Sequence, residues 1–298
     1  MKFFSRLGLL AVSLYALGTF NAKAQTVLND SITRGTNFET IALRLWLDKS
    51  VKQIRGIVVV VPGSNGDGRD MVLDTAWQNL ARRHKFALVG CYMTDKPHEH
   101  MAIERYVDVK LGSGQAFLDV LTRLALQSGH VELEQAPMVL FGESAGGQFN
   151  YEMVCWKPER VIAFVVNKGG IYYSSLAPAT AWEVPGLFIT GEKDSPFRNN
   201  IINGIFSINR RFGAQWMLVE EPGVGHEFEN SRIFSRLFFE QVISLRLSDS
   251  GSLRKLSNGW VGYHSTKEIT DAPKDRPTQL TSWFATKPLS DLWLCLMR

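Results

Sequence analysis

Residues Gly56 to Val61 read Gly-Ile-Val-Val-Val-Val and stop at Pro62-Gly63, so the run has no polar position to present to water. A strand of that kind is buried on both faces and needs apolar cover above and below it. Strand-like and helix-like stretches then alternate through the chain. Phe86 to Tyr92, Met138 to Phe141, Val161 to Val166, Leu187 to Thr190 and Trp216 to Val219 read as further buried strands. Helical patterns occupy Met71 to His84, Gly114 to Gln127, the stretch from residue 145 to about Trp156, Asn199 to Phe212 and Glu229 to Leu247. In the second of these, Phe117, Leu118, Leu121, Leu124 and Ala125 recur at helical spacing. Phe38 to Leu47 alternates instead, as expected of an early antiparallel strand with one wet face. The alternation predicts an α/β domain whose central sheet is mostly parallel and covered by helices on both sides. With 298 residues and 45% apolar content, one such domain has ample core, and 21% charged residues without a polar low-complexity tract argue against general disorder.

The two ends of the chain differ from this middle. Lys2 and Arg6, the apolar stretch Leu7 to Phe20 and Ala22-Lys23-Ala24 have the layout of a signal peptide cleaved after Ala24. An N-terminal anchor is the competing reading, but the apolar run is short for a membrane span. Residues 1–24 are therefore set apart, and a secreted or periplasmic location is expected. Their removal takes the net charge from +4 to about +1, which gives no support for binding nucleic acid or an anionic membrane surface. No later apolar stretch is long enough to span a bilayer. Residues 25–247 are expected to form the main domain. Residues 248–298 are expected to be an extension packed on it, loose up to Thr281 and helical again from Leu289 to Met297. The three cysteines, Cys91, Cys155 and Cys295, form no CxxC, and buried free thiols are the expectation.

Candidate chemistry lies where strands end. Gly142-Glu143-Ser144-Ala145-Gly146 matches G-x-S-x-G between an apolar strand and a small-residue helix start. That setting places Ser144 on a strained turn with its hydroxyl exposed at the carboxyl end of the sheet. A serine hydroxyl is a poor nucleophile until a base lies within hydrogen-bond reach. His226, in Pro-Gly-Val-Gly-His after the last predicted strand, is the candidate base. Asp194, which follows Leu187 to Lys193, is the candidate acid that orients it, with Glu192 as a competitor. Two backbone donors are expected for the oxyanion: the N–H of Ala145, and the N–H of Ser64 in the loop Pro62 to Gly68, where Gly63 makes the sharp turn. That glycine loop is neither a P-loop, since Arg69-Asp70 stands where Lys-Ser/Thr is required, nor a dinucleotide fingerprint, since Met71 holds the third glycine position. His98-Glu99-His100 lacks the helical spacing of a zinc site and reads as a solvated loop. Neither a metal nor an organic cofactor is expected.

At these residues the chain resembles secreted α/β-hydrolase esterases, especially the polyhydroxybutyrate depolymerase-like and feruloyl esterase-like group. The likeness runs from about Phe38 to Leu247 and rests on Val-Pro-Gly-Ser, Gly-Glu-Ser-Ala-Gly-Gly, Thr-Gly-Glu-Lys-Asp and Gly-His-Glu-Phe. It implies the α/β-hydrolase fold, with Ser144 as nucleophile, Asp194 as acid, His226 as base, and Ser64 and Ala145 as oxyanion donors. The order Ser, Asp, His along the chain agrees with it. Pro62 stands where many relatives carry histidine, and the His-Gly-Gly-Gly loop of hormone-sensitive lipases is absent. The resemblance implies hydrolysis of a carboxylic ester, small or polymeric, with hydroxyalkanoate, feruloyl and short-acyl esters as candidates. A serine peptidase of the same fold and a catalytically dead binding module are the competing readings. The connection from Asn167 to Val184 is too short for a multi-helix lid, so an open site is expected. Asn65, Glu143, Tyr172, Tyr173 and Trp182 are candidate pocket residues, with ordinary packing as the alternative for the three aromatics.

Overall fold

The computed structural model describes residues 25–271 and 280–297; the expected signal peptide lies outside them. Among the described residues the strands are β1 (Gln25–Thr33), β2 (Thr40–Asp48), β3 (Gly56–Val61), β4 (Phe86–Thr94), β5 (Met138–Glu143), β6 (Val161–Asn167), β7 (Gly186–Gly191), β8 (Trp216–Glu221), β9 (Trp260–Tyr263), β10 (Ile269–Asp271) and β11 (Thr281–Phe284). The helices are α1 (Thr75–His84), α2 (Ser113–Ser128), α3 (Ala145–Trp156), α4 (Ala179–Trp182), α5 (Pro196–Arg211), α6 (Glu229–Arg246) and α7 (Lys287–Leu296).

The first eight strands form one sheet in the order β1-β2-β4-β3-β5-β6-β7-β8. β1 and β2 pair antiparallel, as do β2 and β4, and every pairing from β4 through β3 to β8 is parallel. Side chains of the buried strands divide by parity, as a two-residue pleat requires. Ile57, Val59 and Val61 join a core with α2, α3, α4 and α5, whereas Val58 and Val60 join a second core with α1, α6 and α7. β5 divides the same way, with Met138 and Leu140 on one side and Val139 and Phe141 on the other.

Within the main domain, three elements differ most from expectation. β1 was not anticipated: it is an edge strand of alternating exposure, Gln-Thr-Val-Leu-Asn-Asp-Ser-Ile-Thr, with few apolar residues to announce it. Because β1 pairs along β2 and α2 packs on it, β2 is buried almost throughout and keeps no wet face. The helix expected from Met71 begins only at Thr75, because the Asp74 carboxylate accepts the N–H groups of Ala76 and Trp77 and so caps α1 at that point. A short 3-10 turn, Arg69–Leu73, precedes it.

Beyond α6, β9–β11 form a separate three-stranded sheet in the order β10-β9-β11, and α7 follows. β11 and α7 lie against β8, the open edge of the main sheet. There the Ser282 hydroxyl accepts the Leu218 N–H at 2.9 Å, and the Trp293 indole donates to the Leu218 carbonyl at 2.8 Å. Main-chain groups that would otherwise invite another strand are thereby occupied. Cys91 and Cys155 are buried thiols, and burial pushes both upward in pKa, Cys155 to about 12. Cys295 is exposed, contrary to the expectation of three buried thiols, because it falls on the outer side of α7. Among the described residues no helix is long and apolar enough to cross a membrane.

Candidate active site

Parallel strands deliver their carboxyl ends to one rim, and the loops leaving β3, β5, β6, β7 and β8 meet there. Ser144 follows β5 directly at φ 52°, ψ −119°. That positive-φ backbone, outside the left-handed α well, costs an L-residue about 1–3 kcal/mol and persists only where its surroundings hold it. Two constraints do so. The Ser144 N–H donates to the Asn167 carbonyl at the end of β6 (2.8 Å), and the Ser144 carbonyl accepts the N–H groups of Gly147 and Gln148 (2.9 and 3.2 Å). The glycines are needed for the close approach: a Cβ on Gly142 would strike the Gly146 carbonyl, and one on Gly146 would strike that of Val61. Ala145 opens α3, so its N–H is one of the donors that a helix leaves unpaired in its first turn.

The β3 loop passes beside this turn, close enough that a Cβ on Gly63 would lie 3.5 Å from that of Ser144. Gly66 N–H closes a tight turn on the Gly63 carbonyl (2.9 Å), with exposed Ser64 and left-handed Asn65 (φ 52°) at its tip. The Asn65 side chain accepts the Asp95 N–H (2.9 Å) and donates to the Ser64 hydroxyl (3.1 Å). Asp95 in turn accepts the N–H groups of Arg105 and Tyr106 (2.9 Å each) and pairs with His98 Nε2 (3.1 Å). His98 is therefore no solvated loop residue: its side chain is 6% exposed and faces inward. Among the described residues no group of three or more His, Cys, Asp or Glu is placed to hold a metal ion.

Across the rim, Asp194 and His226 meet from the loops that follow the adjacent strands β7 and β8, with Nδ1 of the imidazole 2.8 Å from Oδ2 of the carboxylate. The second oxygen, Oδ1, accepts the Ser195 N–H (2.7 Å) and Nη1 of Arg198 (2.6 Å) from the first turn of α5. Burial pushes the Asp194 carboxyl upward. The hydrogen bonds from His226 and the Ser195 N–H, with the charges of His226 and Arg198, outweigh that and hold it below the ordinary carboxylate range. Glu192, the competing acid, is turned away and accepts the Gly223 N–H at 2.6 Å. Lys193 N–H donates to the Val224 carbonyl at 2.9 Å. The acid loop and the histidine loop are thus tied by main-chain as well as side-chain bonds.

Solved structures with this arrangement of strands and helices are numerous at low sequence identity. A poly(3-hydroxybutyrate) depolymerase from Bordetella parapertussis is similar to the chain over 73% of its length and 90% of the depolymerase (18% identity, TM-score 0.50). An S-formylglutathione hydrolase from Agrobacterium tumefaciens is similar over 75% of the chain and 96% of its own (14%, TM-score 0.53). A ferulic acid esterase is similar over 74% and 96% (11%, TM-score 0.51). The chain has the α/β-hydrolase fold. No protein-family model and no curated protein sequence matches it.

Within this fold, two of the candidate pocket residues are placed elsewhere. The Glu143 side chain turns beneath the rim and pairs with Arg232 of α6 (2.6 and 3.1 Å), where it is buried. Trp182 lies near the amino ends of the strands: its carbonyl accepts the Gln215 N–H just before β8, its ring stacks on Phe212, and its indole donates to Asn209 (3.0 Å). Both are packing residues, because their partners come from the far side or the far end of the sheet. Tyr172 stays near the nucleophile turn. A Cβ on Gly169 would lie 2.8 Å from its hydroxyl and 3.1 Å from the Ser144 carbonyl oxygen. Tyr173 is exposed, and its hydroxyl donates to the Glu104 carbonyl (3.2 Å). Buried Glu152 of α3 holds this connection by accepting the N–H groups of Tyr173 and Ser174 (2.8 and 2.7 Å). Asn65 sits at the rim with its amide committed to the Ser64 hydroxyl and to the Asp95 N–H beyond β4.

Sequence reading missed Arg198, Glu152, Asp95 and Lys168. Only Arg198 carried a local signal, four residues after Asp194 at the start of a helix.

Proposed function

We propose that the protein is a serine hydrolase that cleaves carboxylic esters through an acyl-enzyme on Ser144. The observation that carries this reading is the 2.8 Å contact of His226 Nδ1 with Asp194 Oδ2 at the rim where Ser144 sits on its strained turn. With the carboxylate accepting the Nδ1 proton, Nε2 is the basic nitrogen and takes the Ser144 proton as the hydroxyl attacks the ester carbonyl. Asp194 keeps its negative charge and stabilises the imidazolium that results. The N–H groups of Ala145 and Ser64 receive the oxyanion; one such donor is worth roughly 3–4 kcal/mol of transition-state stabilisation. The intermediate collapses as the imidazolium protonates the departing alcohol, leaving the acyl group on Ser144. Water, deprotonated by the same, now neutral, imidazole, then attacks the acyl-enzyme and releases the acid and the Ser144 hydroxyl.

Tyr172 and Tyr173 flank the acyl group in this reading. The neighbours named as depolymerase, S-formylglutathione hydrolase and ferulic acid esterase define the substrate panel: hydroxyalkanoate, thioester, feruloyl and short-acyl esters. Residues 1–24 are proposed to direct export and to be removed after Ala24. The test is turnover of p-nitrophenyl acetate by the wild type and by Ser144→Ala. The variant is expected to lose several orders of magnitude in kcat, on the order of triad deletions elsewhere, and a near-wild-type rate would refute the proposal.

A further inference from the structure

A lysine with no contact to solvent lies directly under the histidine loop. Lys168 follows β6 at φ 56° and is 0% exposed. Its Nζ is paired with the buried Glu221 at the end of β8, donates to the Glu227 carbonyl at 2.8 Å, and lies 3.4 Å from the Asn167 side-chain oxygen. It also stands 5.7 Å over the Phe228 ring, and that ring meets the His226 imidazole edge-on at 5.1 Å. The ring thus lies between the buried cation and the candidate base on one side of the loop. The neighbouring Asn167 completes the bracket: its carbonyl accepts the Ser144 N–H (2.8 Å), and its amide donates to the Ser231 hydroxyl of α6 (2.7 Å). One dipeptide at the end of β6 thus grips the nucleophile turn on one side and the base loop on the other.

A buried ion pair is a costly way to hold a fold together, since well-packed apolar residues of similar volume often serve as well or better. The bond to the Glu227 carbonyl distinguishes this one. The Glu227 carbonyl belongs to the residue after His226, and among the described residues no main-chain N–H donates to it. We infer that Lys168 is a positioning residue for the proposed esterase reaction, holding the 223–228 loop through the Glu227 carbonyl and the Phe228 ring so that His226 keeps its bond to Asp194. Glu221 serves as the counter-charge that lets the ammonium group be buried. This inference rests on the esterase reading.

Two variants separate positioning from plain stability. In Lys168→Met/Glu221→Met both charges go together, so no unpaired charge is left in the core and thermal stability is expected near wild type. The donor to Glu227 is lost, however, and kcat for p-nitrophenyl acetate is expected to fall about 10- to 100-fold, the order of loss for a misplaced reacting group, with KM changed less than about threefold. In Glu221→Gln, Lys168 remains and still has an acceptor; stability is expected to drop while kcat stays within about threefold of wild type. A double variant that regains wild-type kcat along with its stability would overturn the inference. So would a Glu221→Gln enzyme whose kcat falls as far as that of the double variant.

A substrate-free readout keeps this test independent of the esterase reading. The low-field proton of the His226–Asp194 hydrogen bond, seen by 1H NMR, is expected to be lost in the double variant and kept in Glu221→Gln. Its persistence in the double variant counts against Lys168 whether or not esters turn over. If the wild type shows that resonance but hydrolyses no ester, the esterase reading alone has failed.

Discussion

At the carboxyl rim of the main sheet, backbone is held in unfavourable conformations and polar side chains are bonded to one another around an open edge. In the C-terminal layer, residues 248–271 and 280–297, polar groups bond instead to main chain and side chains of the domain beneath, among them the edge strand β8. Asn65, Ser144 and Lys168, three non-glycine residues with positive φ, all lie just past the ends of buried parallel strands. Among the described residues of the C-terminal layer only Lys267 shares that conformation, in a surface turn. The layer instead contributes Ser282 and Trp293 to the main chain of Leu218, and Thr281 to buried Arg210 (3.0 Å from both its carbonyl and hydroxyl oxygens). The contrast separates two duties: the rim stores strain where chemistry is proposed, and the C-terminal layer seals an edge and adds core. Substitutions at the rim should therefore change activity far more than stability, and those in the layer the reverse.

The largest effect expected to sharpen this contrast is that of Asp194→Asn. Losing the carboxylate that holds the imidazole tautomer should reduce kcat by about 10⁴-fold, as in the serine protease triad. The melting temperature should move by only a few degrees, as read by calorimetry beside ester assays. The contrast breaks if activity survives or if the protein unfolds. In the C-terminal layer, Trp293→Ala removes a fully buried ring and an indole hydrogen bond to β8. It should cost about 3–5 kcal/mol in urea unfolding, while kcat per folded molecule stays unchanged.

Acid provides a third comparison. Burial, with the nearby charges of Lys267 and Arg210, pushes His264 down to about 4 from 6.5. Between these values the unfolded chain binds a proton that the native protein does not, so stability is complete above pH 6.5 and declines as pH falls toward 4. The linked loss is up to ~3 kcal/mol. Unfolding of wild type and His264→Gln across that range should show a steeper acid decline in the wild type; parallel curves would assign the decline to other groups. The smallest effect concerns the strained turn. Ser144→Gly should stabilise the protein by about 1 kcal/mol, because glycine adopts φ 52° without a Cβ clash, while abolishing turnover. Unchanged or lower stability would mean that the turn stores little strain.

The fold was legible wherever a strand is buried on both faces, because runs such as Gly56 to Val61 and Val161 to Val166 have no other way to be covered. β1 and β9–β11 escaped notice for the opposite reason. β1 is an edge with alternating polar residues, and the C-terminal strands are only three or four residues long, set in Gly-, Ser- and Lys-rich chain. At the site, Ser144, Asp194 and His226 were each readable as a polar residue just past a strand, and Asp194 with His226 meet as that placement suggested. What could not be read depends on partners distant in sequence. Lys168 looks like a loop cation until Glu221, 53 residues on, is folded over it. Trp182 looked like a pocket wall because its true neighbours, Asn209 and Phe212, come from another helix and its exit. Glu143 precedes Ser144 in a strand, so its side chain is committed to the opposite face, where Arg232 waits.

The central claim is that the rim makes one serine hydroxyl nucleophilic, and a fluorophosphonate probe tests it directly. Peptide mapping after labelling should find one equivalent of phosphonate per chain on Ser144, and His226→Ala should slow the labelling by at least about a hundredfold, within the range for loss of a general base. An unlabelled Ser144, or labelling that proceeds at the same rate without His226, would contradict the account.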